Sequence, residues 1–219
     1  MFGSFDLGIL AANAPFLWNG MLLTLQLTAF AITGGLLLGV VLAMARLSPI
    51  KPLAWAVEGY VNFLRSMPLI LVIFWFYTLV PKMIGRPVSG FYSVLIAFVM
   101  FEAAYYSEII RAGISSVQRG QLSAAMALGL TKLQAMRYVI LPQAMRNIIP
   151  VLLTQSIVML QDTSLVYVVG LRDFLTSADI VASRDNRPTE LYLFVAIIFL
   201  VVCFSASRLV NRLRRRYAL

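Results

Sequence analysis

The sequence predicts an all-α integral membrane protein with about five transmembrane helices. Of its 219 residues, 61% are hydrophobic and 12% are charged, and the mean hydropathy is +0.87. Soluble domains hold roughly 25% charged residues. The apolar residues also form long runs with few charges, as expected because a charge at mid-bilayer costs roughly 2.5 to 3.5 kcal/mol. We interpret residues 1–219 as one transmembrane domain.

The first predicted span covers residues 17–45, which carry no charge. Its length predicts a tilted helix. An alternative is a hairpin that turns at residues 33–35 and gives six spans, but each half would have fewer than about 20 residues. We therefore favour one helix, in which the glycines form a close-packing face. Residues 1–6 hold no Lys or Arg, so we expect no cleavable signal peptide.

Further apolar runs predict four more spans, at residues 53–80, 91–112, 147–170 and 191–207. The second span contains Arg65 and Pro68, and the proline predicts a kink. The last span is at the lower limit of length. An odd number of crossings puts the two termini on opposite sides of the membrane.

The basic residues predict the orientation in a cytoplasmic (inner) membrane. Leaving Arg65 aside, 12 Lys and Arg residues fall on the side of the first loop, the central loop and the C-terminus, against 5 on the other side. This bias predicts an external N-terminus and a cytoplasmic C-terminus. We interpret the Arg-rich tail as an anchor to anionic membrane lipid and reject a nucleic-acid partner.

Several kinds of chemistry are excluded or disfavoured by composition. The chain has no His and one Cys, Cys203, so it has no intrachain disulfide and no Ser-His or Cys-His catalytic pair. A zinc or haem site would need carboxylates only. No G-x-x-x-x-G-K-[ST] phosphate loop occurs. We expect a transport subunit without a cofactor or metal of its own, and a membrane-embedded enzyme is the weakest alternative.

The central loop, about residues 115–142, is moderately polar and too long for a turn. Residues 123–128 are strong helix formers, and Gly129 is typical of a left-handed helix end. Residues 130–141 resume helical spacing, and Pro142 breaks that helix or begins the next element. We expect two short surface helices that offer small and apolar side chains to another protein.

This loop resembles the EAA signature of ABC importer permeases. The matching residues are Ala124, Ala125, Gly129, Leu141 and Pro142. Ser123 stands where the family has Glu, which removes a carboxylate, and Val139 stands where it has Ile. The resemblance implies a type I ABC importer permease fold, in which this segment is the cytoplasmic coupling helix that docks on the ATPase.

Other segments are similar to one branch of that family, the polar amino-acid permeases of the histidine, glutamine and glutamate type. They are residues 19–25, 65–70, 103–114 and 161–165. Residues 101–106 and 160–168 look closest to the permeases of glutamate/aspartate importers. The resemblance implies an ABC ATPase dimer that binds ATP and Mg²⁺, a second permease copy or paralogue, and a periplasmic amino-acid-binding protein.

Carboxylates within the predicted spans point to a solute path, because such groups normally face a cavity or a partner. Glu102 shares a helix face with Tyr106, and Glu108 can pair with Arg111, for which we favour a structural role. A proton relay through Glu102, Glu108 and Asp162 is the alternative, and it predicts a proton-coupled secondary transporter. A permease for basic amino acids or glutamine is a further alternative.

The fourth span carries the remaining candidate groups. Gln155 and Asp162 lie seven residues apart, hence on one side of a helix, and Thr163 and Ser164 follow. An amino acid presents an ammonium group and a carboxylate. Asp162 would accept hydrogen bonds from the ammonium group, and Gln155, Thr163 and Ser164 would donate hydrogen bonds to the carboxylate. Arg65 is the candidate cation for the acidic side chain of a substrate. Alternatively, Arg65 donates hydrogen bonds to the backbone carbonyls that are freed at the kink, which explains its position equally well.

Overall fold

The computed structural model describes residues 8–217 as an all-helical chain, so the expectation for residues 1–6 lies outside the described residues. The helices are α1 (Gly8–Ala12), α2 (Ala14–Arg46), α3 (Lys51–Arg65), α4 (Leu69–Ile84), α5 (Gly90–Ser115), α6 (Arg119–Ala127), α7 (Lys132–Ala135), α8 (Leu141–Asp162), α9 (Phe174–Asp185) and α10 (Pro188–Tyr217).

The number of spans agrees with the prediction. Within the described residues, α2, α5, α10 and the stretch Lys132–Val169 are long and apolar enough to cross a membrane, and the pair α3–α4 would make a fifth span. In the most apolar part of α5, 56% of the residues are buried, against at most 33% in the other three. Helix α5 is therefore the centre of the bundle, and it packs against α2, α3, α4 and α8.

Helix α2 is a single helix of 33 residues, so the hairpin alternative at residues 33–35 is wrong. Gly35 and Gly39 face α5 one turn apart. A Cβ on Gly35 would lie 2.7 Å from Glu102 Cβ, and one on Gly39 would lie 2.8 Å from Tyr106 Cβ. The two glycines thus let the α2 backbone approach α5 closely, as small residues do in membrane helix pairs.

The second span is not a continuous kinked helix. It breaks after Arg65 into α3 and α4, which are bent by 107° relative to each other. Pro68 was correctly predicted as the cause. It has no N–H to continue the helix, and it disfavours helical geometry at Met67. Pro68 itself has an extended backbone and starts α4.

The central loop contains one separate surface helix, not two. Helix α6 ends at Ala127, and Gly129 follows with a φ of +85°, which confirms the predicted left-handed position. The chain then turns at Thr131 and runs from Lys132 to Asp162 without a break, through a π-helical turn at Met136–Ile140. The N–H of Leu141 donates to the Met136 carbonyl in that turn. Pro142 directly follows this turn inside the continuous helix, so the predicted break does not occur there.

Helix α9 was not predicted. Asp173 caps its N-terminus, with the N–H groups of Leu175 and Thr176 each donating over 3.1 Å. Burial raises the pKa of Asp173 above its usual value. At the other end, hydrogen bonds from Arg184 lower the pKa of Asp185. The helix packs with the start of α2 and with α10 in a second apolar cluster.

Candidate functional site

A buried polar cluster joins α5 to α8 in the middle of the bundle. Glu102 is fully buried, and its Oε1 accepts a hydrogen bond of 3.0 Å from Gln155 Nε2. Its other oxygen, Oε2, is buried and has no hydrogen-bond partner among the described residues. Tyr106 lies one turn along α5, and its hydroxyl is 3.2 Å from Ser156 Oγ. A carboxylate is thus held by an amide, and one oxygen remains available.

The carboxyl group of Asp162 is half-buried at the end of α8, seven residues and thus two turns beyond Gln155 on the same side of the helix. No cation forms an ion pair with either group within residues 8–215. A carboxyl group without a counter-ion offers the charge that an ammonium group requires.

Thr163 and Ser164 begin the 3₁₀-helical segment Thr163–Val169, which follows α8. The Thr163 hydroxyl donates to the Leu160 carbonyl over 2.6 Å, and the Ser164 hydroxyl donates to the Gln161 carbonyl over 2.8 Å. Each hydroxyl has one proton. In this conformation, neither hydroxyl is free to donate to a ligand.

Arg65 belongs to a second cluster, centred on Glu108 about 9 Å further along α5. Its Nη1 is 4.0 Å from Glu108 Oε2, and its Cζ lies 5.4 Å from the centre of the Tyr105 ring. Arg111 donates to Glu108 over 2.6 and 3.1 Å, which confirms the predicted pair. Arg46 also donates to Glu108. The structure thus places Arg65 with other charges and not beside Glu102.

The segment around Gly129 projects from the bundle with its apolar side chains exposed. Leu128 is 84% exposed, Leu133 79% and Met126 51%. Ser123 and Ala124 are exposed, whereas Ala125 is buried. Thr131 fixes the turn through a capping box with Gln134, which accepts from the Thr131 N–H over 2.8 Å. A well-ordered turn with an exposed apolar rim has the character of a docking surface.

Two residues that contribute to these clusters were not predicted from the sequence. Ser156, which contacts Tyr106, follows Gln155 in a polar run within an apolar span, and that run was a usable signal. Arg46 ends α2 and pairs with Glu108, 62 residues away along the chain. Nothing local in the sequence predicts that pairing.

A cavity of about 730 Å³ is lined by none of the residues that form the two charged clusters. Its lining is almost entirely apolar and includes Leu17, Trp18, Phe174 and Phe199. It offers no charged group to a polar solute, so we assign the chemistry to the smaller buried cluster around Glu102.

Comparison with known proteins identifies the family of this chain. Residues 35–219 match the family described as the binding-protein-dependent transport system inner membrane component. The chain is 47% identical to the glutamate/aspartate import permease protein GltK of Escherichia coli O157:H7, over 98% of this chain and 99% of that protein. It is 37% identical to the probable glutamine ABC transporter permease protein GlnM of Bacillus subtilis, over 96% and 97% of the two chains.

Solved structures show the same fold. A chain of an amino acid ABC transporter crystallised with histidines superposes with a TM-score of 0.91 at 36% identity, covering 97% of this chain and 99% of that one. A chain of the inward-facing MetNI methionine ABC transporter gives a TM-score of 0.68 at 20% identity, over 92% and 98% of the two chains. The second likeness concerns the fold alone.

Proposed function

The chain belongs to the family of binding-protein-dependent transport system inner membrane components, and from that premise we propose that it carries glutamate or aspartate into the cell. Family members of this kind are permease subunits of ABC transporters and not enzymes. The relative with 47% identity over nearly the whole chain is a glutamate/aspartate permease, which supports an acidic amino acid over glutamine or a basic one.

The observation that carries the proposal of an ATP-driven importer is the exposed rim around Gly129. Its apolar side chains lie at a turn that is held by a capping box and a left-handed glycine. Such a rim is costly in water unless another protein covers it. We assign it to a cytoplasmic ATPase, which would bind ATP and Mg²⁺ itself. The signature residues at this turn are Ser123, Ala124, Ala125, Gly129, Leu141 and Pro142.

The continuous helix from Lys132 to Asp162 supplies the link between motor and solute. It starts at the docking turn and ends at Asp162, beside the cluster around Glu102. A push on its cytoplasmic end would shift Gln155 against Glu102 and open one side of the site while closing the other. This is alternating access.

The substrate site in this proposal lies between α5 and α8. The ammonium group lies against Glu102 and Asp162, and Gln155 and Tyr106 orient it. Thr163 and Ser164 turn from their helix carbonyls to the substrate carboxylate. Arg65 stands about two turns along the path, where it attracts the acidic side chain.

We infer the orientation from the charge bias and the assembly from the family. The N-terminus faces outside, and the C-terminus and the Gly129 turn face the cytoplasm. One permease domain pairs with a second copy or a paralogue, an ATPase dimer and a periplasmic binding protein. Labelling of a Lys132→Cys variant from inside or outside sealed vesicles tests this orientation.

The proposal is tested by purifying the chain with its ATPase and measuring ligand-stimulated ATP hydrolysis. We expect Leu128→Glu to lower co-purification and stimulation at least tenfold, since it puts a charge on the docking rim. Met83→Glu is the matched control, because both residues are 84% exposed but Met83 lies at the opposite predicted face. Normal stimulation in Leu128→Glu, or equal losses in both variants, would contradict the docking assignment.

A further inference from the structure

A groove of about 410 Å³ lies between α8 and α10, away from the cluster around Glu102 and from the Gly129 rim. Helix α8 contributes Arg146, Asn147 and Val151 to its wall, and α10 contributes Val210, Asn211 and Arg214. The groove is therefore basic and polar in one part and apolar in another.

The charge of this groove is uncompensated. Neither Arg146 nor Arg214 forms an ion pair within residues 8–215, in contrast to Arg46, Arg111 and Arg184. The groove lining contains no carboxylate. Two exposed guanidinium groups with two amides beside them match a phosphate, which Arg binds through paired N–H donors.

The polarity changes with depth in the membrane. On α8, the lining runs from Arg146 to Thr154, about 12 Å along the axis. On α10, which runs the other way, Arg214 lies beyond Val210. In both helices the charged residue is at the end outside the apolar run, and the aliphatic residues are on the bilayer side. An amphiphile with a phosphate head and an acyl tail has the same profile.

We propose that this groove is a binding site for an anionic phospholipid of the inner leaflet. Arg146 and Arg214 hold the phosphate, the two asparagines contact the headgroup, and one acyl chain lies along Val151 and Val210. The leaflet assignment rests on the orientation in the proposed function, while the headgroup chemistry does not. Basic pockets between helices at the cytoplasmic surface are suited to such lipids.

Arg215 offers a matched control for general electrostatic attraction. It follows Arg214 directly but lies about 100° away around α10, where it lines a separate basic stripe with Arg208 and Arg212. An Arg→Gln change at position 214 or 215 removes the same charge at nearly the same depth. Only the change at 214 removes a group from the groove.

The experiment uses the purified permease–ATPase complex in detergent and measures retained lipid by native mass spectrometry. Palmitoyl-oleoyl phosphatidylglycerol is titrated against palmitoyl-oleoyl phosphatidylcholine. We expect the wild type to prefer phosphatidylglycerol. Arg146→Gln and Arg214→Gln each weaken that binding about fivefold, and Arg215→Gln weakens it less than twofold.

Four outcomes would overturn the site. These are equal binding of the two lipids, an equal loss in Arg215→Gln, displacement of the lipid by millimolar inorganic phosphate, and loss of the ATPase from Arg146→Gln and Arg214→Gln with lipid binding unchanged. The last outcome would assign the groove to the ATPase interface. Because the assay needs no transport, a complex that binds phosphatidylglycerol but fails to move glutamate overturns only the proposed function.

Discussion

Glu102 is the residue on which the proposed solute site depends most. It is fully buried, one oxygen accepts from Gln155, and the other has no partner among the described residues. Leaving a buried charged group without a partner costs more than the usual 1 to 3 kcal/mol of a neutral one. A buried carboxyl group of this kind points to a function such as ligand binding. The ammonium group of a substrate would supply both the missing positive charge and the missing hydrogen-bond donor.

Replacing Glu102 by Gln tests this role. The amide keeps an oxygen that accepts from Gln155, so the helices stay joined and the amount of protein in the membrane is unchanged. The charge is lost, and because a hydrogen bond to a charged group contributes about 1.5 to 3 kcal/mol, we expect glutamate uptake to fall at least tenfold. Glu58→Gln is the control, since the Glu58 side chain is 50% exposed. Wild-type uptake kinetics in Glu102→Gln would remove Glu102 from the site.

Gly129 permits a second test at a single residue. Ala at φ +85° is strained by about 1 to 2 kcal/mol, so Gly129→Ala should tilt α6 relative to α7 and lower the ratio of stimulated to basal ATP hydrolysis. Gly120→Ala is the control, because Gly120 lies in α6 just before this turn. Like Gly129, it has no atom within 4 Å of an added Cβ. A normal ratio in Gly129→Ala would show that the left-handed turn is dispensable for coupling.

At the scale of helices, α2 and α5 share the most extensive contact among the described helices. The glycine pair on α2 puts the backbone of one helix against Glu102 and Tyr106 on the other. The same contact that buries the solute site therefore also holds the longest helix in place.

Gly39→Ala should lower the thermal unfolding temperature in detergent. Its Cβ would lie 2.8 Å from Tyr106 Cβ and 3.2 Å from the Ala103 carbonyl oxygen, and overpacking of this kind costs about 1 to 3 kcal/mol. Gly59→Ala on α3 meets nothing within 4 Å and should be neutral or slightly stabilising. Equal unfolding temperatures for the two variants would refute the close-packing account.

The charge cluster around Glu108 ties α2, α3 and α5 together. The Arg46 side chain is 9% exposed, and it contacts both Glu108 and Glu58. Glu108→Gln leaves this buried guanidinium without its main partner, which costs about 3 kcal/mol. Glu58→Gln should cost less than about 1 kcal/mol, as exposed pairs do. Urea or heat unfolding of the two variants measures the difference, and a larger effect for Glu58 would contradict the assigned order.

Helix positions in this protein were predictable where charge alone delimits an apolar run. That rule located α2, α5 and α10 to within a few residues at most ends, although α10 continues past its apolar run as an Arg-rich helix. It failed at residues 53–80, because a proline predicts a kink but not the 107° bend that separates α3 from α4. It also passed over α9, although Asp173 and Asn186 are ordinary helix-capping residues.

The candidate site was predictable by residue type but not by partner. Carboxylates in an apolar span identified Glu102 and Asp162, since any such group needs a reason to be there. The contact between Glu102 and Gln155 spans 53 residues of sequence. The placement of Arg65 beside Glu108 likewise follows from the bend between α3 and α4, which no local pattern specifies.

For the whole molecule, one helix links the two functional ends. The stretch Lys132–Val169 begins beside the Gly129 turn and meets the buried Glu102 through Gln155. This continuity was not predicted, because Pro142 suggested a break in the helix. Instead, the helix continues into Pro142 through the π-helical turn at Met136–Ile140. An ATPase that moves the rim would therefore move the solute site directly.

The central claim is that an external ATPase drives this chain to import an acidic amino acid. Uptake of radiolabelled glutamate into proteoliposomes, reconstituted with the ATPase and the periplasmic binding protein, tests it most directly. We predict uptake that requires enclosed ATP and the binding protein and that persists in the presence of a proton uncoupler. Uptake that continues without ATP and collapses with the uncoupler would contradict the account and identify a proton-coupled secondary transporter.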